Sequence, residues 1–296
     1  MGIPESQLET WSHQGSVTQS SSTYETIKRA LEAADAKYAG KTFEVFLQGS
    51  YGNDTNIYAE SDVDVVIRLD SIYHYDVTAL NAQQLAAFNA GSIPGTYPYQ
   101  DYKGHVVEAL QKSFGAADVK PDNKAVKIKA NGGRRSADVV IATDFHRYYS
   151  GLLGTQYEQG ICFFTSSGRI VNYPKQHSAN CTRKHQATGS NFKRVLRIFK
   201  NMRSKLVADG LIGKGVAPSY FIEGLLYNIP DNKFSGSYEN MVFNILTWLH
   251  QTTDRTKFLC ANEQYYLLRD NDPVCWPIAN GEQFINAVIR LWNNWS

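Results

Sequence analysis

No stretch of the 296 residues stays apolar for the roughly 20 positions that a membrane-crossing helix needs, so the chain is expected to keep out of the bilayer. The opening residues are polar, rich in Ser, Thr and Gln, and lack the apolar segment of a secretory signal. Met1-Gly2 followed by Ser6 fits a myristoylation signal only loosely, and no polybasic tract follows to supply a second anchor. Cysteine is scarce: Cys162, Cys181, Cys260 and Cys275 are widely spaced, with no CxxC pair. That pattern excludes a zinc ribbon and suits free thiols in a reducing cytoplasm. Charge of one sign is missing too. Thirty basic against 28 acidic residues leave +2, too little for a protein whose main task is to coat nucleic acid. Repeats and low-complexity tracts are absent.

What remains is an ordinary globular composition, 43% hydrophobic, in a chain long enough to bury a large core and to form two lobes. Residues 1–20 are expected to form a loosely packed arm. Ile27, Leu31 and Ala34 then mark a helix from Ser22. Thr42–Gln48 alternates as a strand running into Gly49, and Asp62–Leu69 is a second, β-branched strand. A looser stretch covers 70–98. Val106, Val107, Leu110 and Phe114 share a helix face over 100–114, with Gly115 as its stop. Ala125–Ala130 and Ser136–Ala142 read as strands joined across Asn131-Gly132-Gly133, a hairpin signal, with short strands at Ile161–Thr165 and Arg169–Asn172. The region 150–185 shows no clear periodicity. Helices are expected near 190–207, 218–228, 238–251 and 281–294, so the first half is mixed and the second helical.

Chemistry concentrates at Gln48-Gly49-Ser50, then eleven residues, then Asp62-Val63-Asp64-Val65. Strand side chains alternate, so Asp62 and Asp64 share one face about 7 Å apart while the valines point inward. Such carboxylates repel unless water screens them or a cation neutralises them. Asp138 repeats the arrangement as a lone acid in Ala137–Ile141. Three converging acids suit magnesium, a hard ion that completes its shell with phosphate oxygens and water. Glycine at a strand end allows close backbone approach to a phosphate, and the serine hydroxyl can donate to it. Alone, either motif reads as a solvated strand edge or a plain turn; their order and the third acid point to phosphoryl chemistry.

The run Gly49-Ser50-x11-Asp62-Val63-Asp64-Val65, with Asp138 as the third acid, resembles the signature of the polymerase-β-like nucleotidyltransferases. More narrowly, GSYGNDTNIYAESDVDVVIRLD is similar to the bacterial cGAS/DncV-like nucleotidyltransferases (CD-NTases, or oligonucleotide cyclases). Members of that family make cyclic di- or trinucleotide signals in anti-phage (CBASS) defence. Val171-Asn172-Tyr173-Pro174-Lys175-x-His177, Phe192-Lys193-Arg194-x3-Ile198-Phe199-Lys200-Asn201 and Pro218-Ser219-Tyr220-Phe221-Ile222-Glu223 extend the resemblance along the chain.

The resemblance implies an α+β, two-lobed fold. A mixed twisted sheet lobe would span 1–165 and a helical lobe 166–296, braced by a long N-terminal helix at about 22–38. Asp62, Asp64 and Asp138 would hold two magnesium ions, with manganese as a substitute, and carry catalysis. Gly49, Ser50, Lys200 and Ser219 would bind the triphosphate and Tyr220 would stack on a base. ATP and GTP are the implied substrates, and a purine-containing cyclic di- or trinucleotide the implied product, with a dinucleotide favoured, acting on a downstream effector. A cytoplasmic monomer that needs neither nucleic acid nor membrane is expected. The chain lacks the zinc-binding insertion of the animal DNA sensor.

Two other readings stay open. A linear polymerase of the 2′-5′ oligoadenylate or poly(A) type would use the same acids, and a non-catalytic nucleotide-binding scaffold would have lost one of them. Lys193, Arg197 and Lys200 fall on one helix face, opposite Phe192, Val195, Leu196, Phe199 and Leu206. Such a basic face is commonly solvated; Lys200 is the favoured phosphate ligand among the three. Glu223 is expected to orient or pair with a lysine, His177 to be a hydrogen-bonded structural histidine, and Asp54 to cap the phosphate turn.

Overall fold

The computed structural model describes residues 2–58, 62–151 and 154–295. In chain order its helices are α1 (Glu5–Ser12), α2 (Thr18–Leu31), α3 (Gly49–Gly52), α4 (Ala82–Gly91), α5 (Tyr99–Phe114), α6 (Pro174–Ala187), α7 (Phe192–Ala208), α8 (Ser219–Tyr227), α9 (Tyr238–Gln251) and α10 (Ile278–Asn293). The strands are β1 (Phe43–Leu47), β2 (Val63–Ala79), β3 (Val119–Pro121), β4 (Val126–Ile128), β5 (Ala137–Gly151), β6 (Gly154–Thr165) and β7 (Gly168–Asn172). They fall into two compact units: residues 18–48 with 61–174, and residues 1–17 with 49–60 and 175–296. Residues 1–17 and 49–60, on the catalytic side of the expected 165/166 division, thus belong to the helical unit.

The first unit is built on one seven-stranded mixed sheet. β2 and β5 lie parallel at its centre, β1 runs antiparallel to β2, and β4 and β6 run antiparallel to β5. Their sequences explain that position. Val63–Leu69 and Ala137–Phe145 are β-branched runs with nearly every side chain buried, the composition of strands covered on both faces. α2 and α5 pack here through Ile27, Ala30 and Leu31, and through Tyr102, Val106, Ala109 and Leu110. Gly115 ends α5 at φ +83°, a left-handed conformation that glycine adopts without a Cβ penalty.

Several expectations need correcting. The long bracing helix is a 14-residue α2 that stops at Leu31. The chain then turns, and Tyr38 folds back to donate its hydroxyl to the Leu31 carbonyl at 2.8 Å, its ring buried against Phe43 and Tyr102. The loose stretch after Asp70 contains the second half of β2, where Tyr73 and Tyr75 alternate with less exposed neighbours beyond a register shift, and it contains α4. β6 begins at Gly154, seven residues before the expected strand.

The helical unit is organised by α7, whose Phe192, Val195, Leu196, Ile198, Phe199, Met202 and Leu206 join side chains of α8, α9 and α10 in one core. The supposed N-terminal arm is ordered in this unit. Ile3 and Leu8 are fully buried in that core, and the Glu5 carboxylate accepts the Tyr238 and Glu239 N–H groups, capping α9. α6 lies in the region without periodicity. Its buried stripe is His177, Asn180, Cys181 and Lys184, helical in spacing but made of polar types. Among the described residues no helix is long and apolar enough to cross a membrane, and the four cysteines are free thiols.

Candidate active site

The expected site residues divide between the units: Asp62, Asp64 and Asp138 in the sheet unit, and Gly49, Ser50, Lys200, Ser219 and Tyr220 in the helical unit.

In the sheet unit, Asp64 and Asp138 are register partners on the parallel pair β2 and β5. Each is half-buried between fully buried neighbours, Val63 and Val65 on one strand and Ala137 and Val139 on the other. Alternation therefore sets both carboxylates on the same face. Lys127 of β4 is the register partner of Asp138 on its other side and pairs with Asp122 at 2.8 Å. Asp62, exposed just before β2, accepts a hydrogen bond from the Ser136 hydroxyl. Burial and the nearby Asp62 charge raise the Asp138 carboxyl above the usual carboxylate range, against the opposing pull of Lys127.

These groups fit a hard divalent cation by their chemistry: oxygen donors in register, with a repulsion that a cation would relieve. As the side chains stand, no three His, Cys, Asp or Glu groups among the described residues close on one point. Asp62 accepts the Ser136 hydroxyl while its charge still acts on Asp138.

In the helical unit, Gly49 opens the phosphate turn at φ +64°, where a side chain would be strained. Behind that turn lies a buried polar network. Lys200 is 0% exposed, and its three N–H donors go to Ser50 Oγ, Thr55 Oγ1 and Glu223 Oε1, each at 2.9 Å. Glu223, 2% exposed, takes Thr55 Oγ1 at 2.5 Å on Oε1. Its Oε2 takes Asn53 Nδ2 at 3.1 Å and His177 Nε2 at 2.6 Å. Burial alone would raise Glu223, but the positive charge of Lys200 and the hydrogen bonds hold it well below the carboxylate range. The expected pairing of Glu223 with a lysine is present, and His177 is hydrogen-bonded inside the fold.

The basic stripe of α7 is not a solvated face. Lys193 pairs with Asp54 at 3.1 Å, and Arg197 donates to the Asp54 carbonyl at 2.7 Å and to the Ser12 carbonyl at 2.5 Å. Asp54, at φ +54°, is an ion-pair partner of α7. Three cations at helical spacing thus hold the turn 50–55. That explains why no acids are interleaved along the stripe: its counter-charges come from elsewhere in the chain.

Ser219 begins α8 directly after Pro218, half-buried, with Arg203 donating to its hydroxyl at 3.4 Å. Tyr220 is 44% exposed and stacks on His177, centroids 5.0 Å apart and planes 24° from parallel. Asn262 donates to its hydroxyl at 3.0 Å. Asn53 and Thr55, which flank Asp54 in the turn, both donate to the Glu223 carboxylate.

A seven-stranded mixed sheet thus carries the paired strand aspartates, and the helical unit cradles the Gly-Ser turn. The model of the cGAS/DncV-like nucleotidyltransferase C-terminal helical domain matches residues 179–293. A cyclic UMP-AMP synthase of Rhodothermus marinus is 37% identical over 298 residues, spanning 100% of this chain and 99% of the relative. The cyclic nucleotide synthase CdnE01 of Staphylococcus haemolyticus is 34% identical, with both chains covered completely. A solved structure of the R. marinus CdnE c-UMP-AMP synthase with Apcpp and Upnpp superposes with a TM-score of 0.88 at 36% identity, covering 99% of this chain and 98% of that one. The chain belongs to the cGAS/DncV-like nucleotidyltransferases and is an enzyme of that class.

Proposed function

We propose that the enzyme joins two NTPs into a cyclic dinucleotide that contains at least one purine. The observation that carries this reading is the Asp64–Asp138 pair in register on the central strands, in a chain matched end to end by cyclic nucleotide synthases. Asp62, Asp64 and Asp138 would hold two magnesium ions, Asp62 exchanging its Ser136 contact for one of them. Bound magnesium supplies charge neutralisation and makes the attacking hydroxyl more acidic.

The chain's own groups account for the rest. Ser50, opening from the glycine turn, donates to the triphosphate, with Lys200 behind it and Ser219 as a second hydroxyl. Tyr220 offers its free face to a base. A hydroxyl of the second NTP attacks the α-phosphorus, forming a P–O bond as pyrophosphate leaves, and Asp138 accepts the hydroxyl proton. A second transfer closes the ring and releases a second pyrophosphate. The relative named for UMP and AMP makes adenosine with uridine the first base pair to test, with ATP and GTP next. Anti-phage signalling through an effector, in the cytoplasm, is the role this chemistry would serve.

The decisive experiment incubates the protein with labelled NTPs and Mg²⁺, without DNA or RNA, then applies phosphatase and measures mass. A phosphatase-resistant product of two nucleotides is expected, because ring closure leaves no terminal phosphate. A phosphatase-sensitive ladder of growing length would make the enzyme a linear polymerase. Product that forms only with added duplex would reinstate a nucleic-acid sensor, whose binding would fall steeply with salt.

A further inference from the structure

Three features of the helical unit concern the same carboxylate. Its four donors divide evenly between its two oxygens. Oε1 holds Lys200 and Thr55, the groups beneath Ser50; Oε2 holds Asn53 and His177, and His177 lies under the Tyr220 ring. The second feature is saturation. With Lys200 fully buried and its three N–H groups committed, the lysine presents no donor to a ligand. Ser50 Oγ accepts one of those bonds, which leaves the serine's own proton to donate outward from a half-buried position. The third is spacing: Tyr220 and Glu223 are three apart on α8, so one helix face carries both the ring and the carboxylate to His177.

We propose that Glu223 is a positioning residue that links the phosphate-binding serine to the base-stacking tyrosine, acting through Lys200 on one side and His177 on the other. The proposal rests on the reading that Ser50 and Tyr220 receive the two ends of one nucleotide. Lys200 then works by polarising and aiming the Ser50 hydroxyl. A carboxylate fixed by four donors in a buried setting cannot rotate to favour one side without leaving the other unpaired, at a full desolvation cost. Loss of the His177 donor therefore loosens the Lys200–Thr55 side as well. Because the base platform stands on the same histidine, the site would discriminate a complete nucleotide from its separate parts.

The test uses the full chain and two probes, inorganic tripolyphosphate for the phosphate end and ATP for the whole nucleotide, with affinities read calorimetrically. His177→Phe keeps an aromatic ring under Tyr220 and removes the donor to Glu223. It is expected to weaken tripolyphosphate binding about tenfold, the scale of one lost charge-assisted contact. On a Ser50→Ala background the same change should cost less than about twofold, since the path runs through that hydroxyl. His177→Gln keeps a donor near the Nε2 position and loses the ring; it should bind tripolyphosphate as the parent does and ATP more weakly. If His177→Phe does not fold, the His177→Gln result still decides. Parent-like tripolyphosphate binding by His177→Phe, an equal loss on the Ser50→Ala background, or lost tripolyphosphate binding in His177→Gln overturns the link. Product formation by the parent protein is read separately. If the parent makes no cyclic dinucleotide the functional reading fails, while the tripolyphosphate comparison still judges Glu223.

Discussion

Asp64 on β2 and Asp138 on β5 are direct register partners, two acids side by side on the central parallel strands. A carboxyl raised in the folded state, as Asp138 is, makes folding less favourable as pH climbs through its titration, because the unfolded chain gives up the proton more readily. Asp138→Asn should therefore abolish product and melt at the same or a higher temperature than the parent near neutral pH. The difference should shrink as pH falls into the carboxylate range. Melting curves at several pH values, with a product assay, check both halves. Parent-like turnover by Asp64→Asn or Asp138→Asn would remove these acids from the reaction.

Lys200 and Glu223 form an ion pair at 2.9 Å with neither partner appreciably exposed. Removing one partner strands a buried charge, so Lys200→Met should lower stability by about 3–5 kcal/mol. Adding Glu223→Leu should recover much of that loss, because no charge is then left unpaired. Nucleotide binding should stay impaired in both. Denaturant unfolding and ATP affinity, measured on the same samples, separate the structural share from the functional one.

His177 is a second titration marker. Burial pulls its pKa down, while Cys181 and the Glu223 carboxylate at 2.6 Å push it up, the latter two raising it from 6.5 to about 10. A histidine raised in this way contributes stability that is fully present below about 6.5 and is lost as pH rises through about 10. The parent should lose stability across that interval, and His177→Gln should flatten the slope. Equal slopes in the two proteins would place the proton elsewhere.

Tyr220 offers one ring face while His177 covers the other. Tyr220→Ala should weaken ATP binding by about 1–3 kcal/mol, the range for a base stacked on an aromatic ring. Tyr220→Phe should retain nearly all of it, since the ring stays and what is lost are the hydroxyl's contacts with Asn262 and Cys260. Tripolyphosphate affinity should not follow either change to a comparable extent.

Where residue type and burial agree, the fold could be read from the chain. β1, the first half of β2, the β4–β5 hairpin, and α5 and α7 through α10 all lie near their expected places, because their periodicities report burial directly. α6 was hidden because its buried stripe is His177, Asn180, Cys181 and Lys184, which a hydrophobic pattern cannot register. The apolar spacing continues through Ala34 and predicts a longer helix than α2, whereas the turn that returns Tyr38 to Leu31 is a tertiary contact. The acids and the Gly49-Ser50 turn were legible from order and spacing. The commitment of Lys200, Thr55, Asn53 and His177 to one carboxylate was not, since those positions lie up to 170 residues from Glu223.

The saturation of Glu223 also bears on how this sequence can drift. Asn53 and Thr55 of one turn, His177 of α6, Lys200 of α7 and Glu223 of α8 each complete hydrogen bonds of another. A substitution at any one leaves a buried donor or acceptor open, so tolerated changes should arise as compensating sets. Among related chains these five positions should covary or stay fixed together, a historical signature that a set of independent surface ligands would not leave.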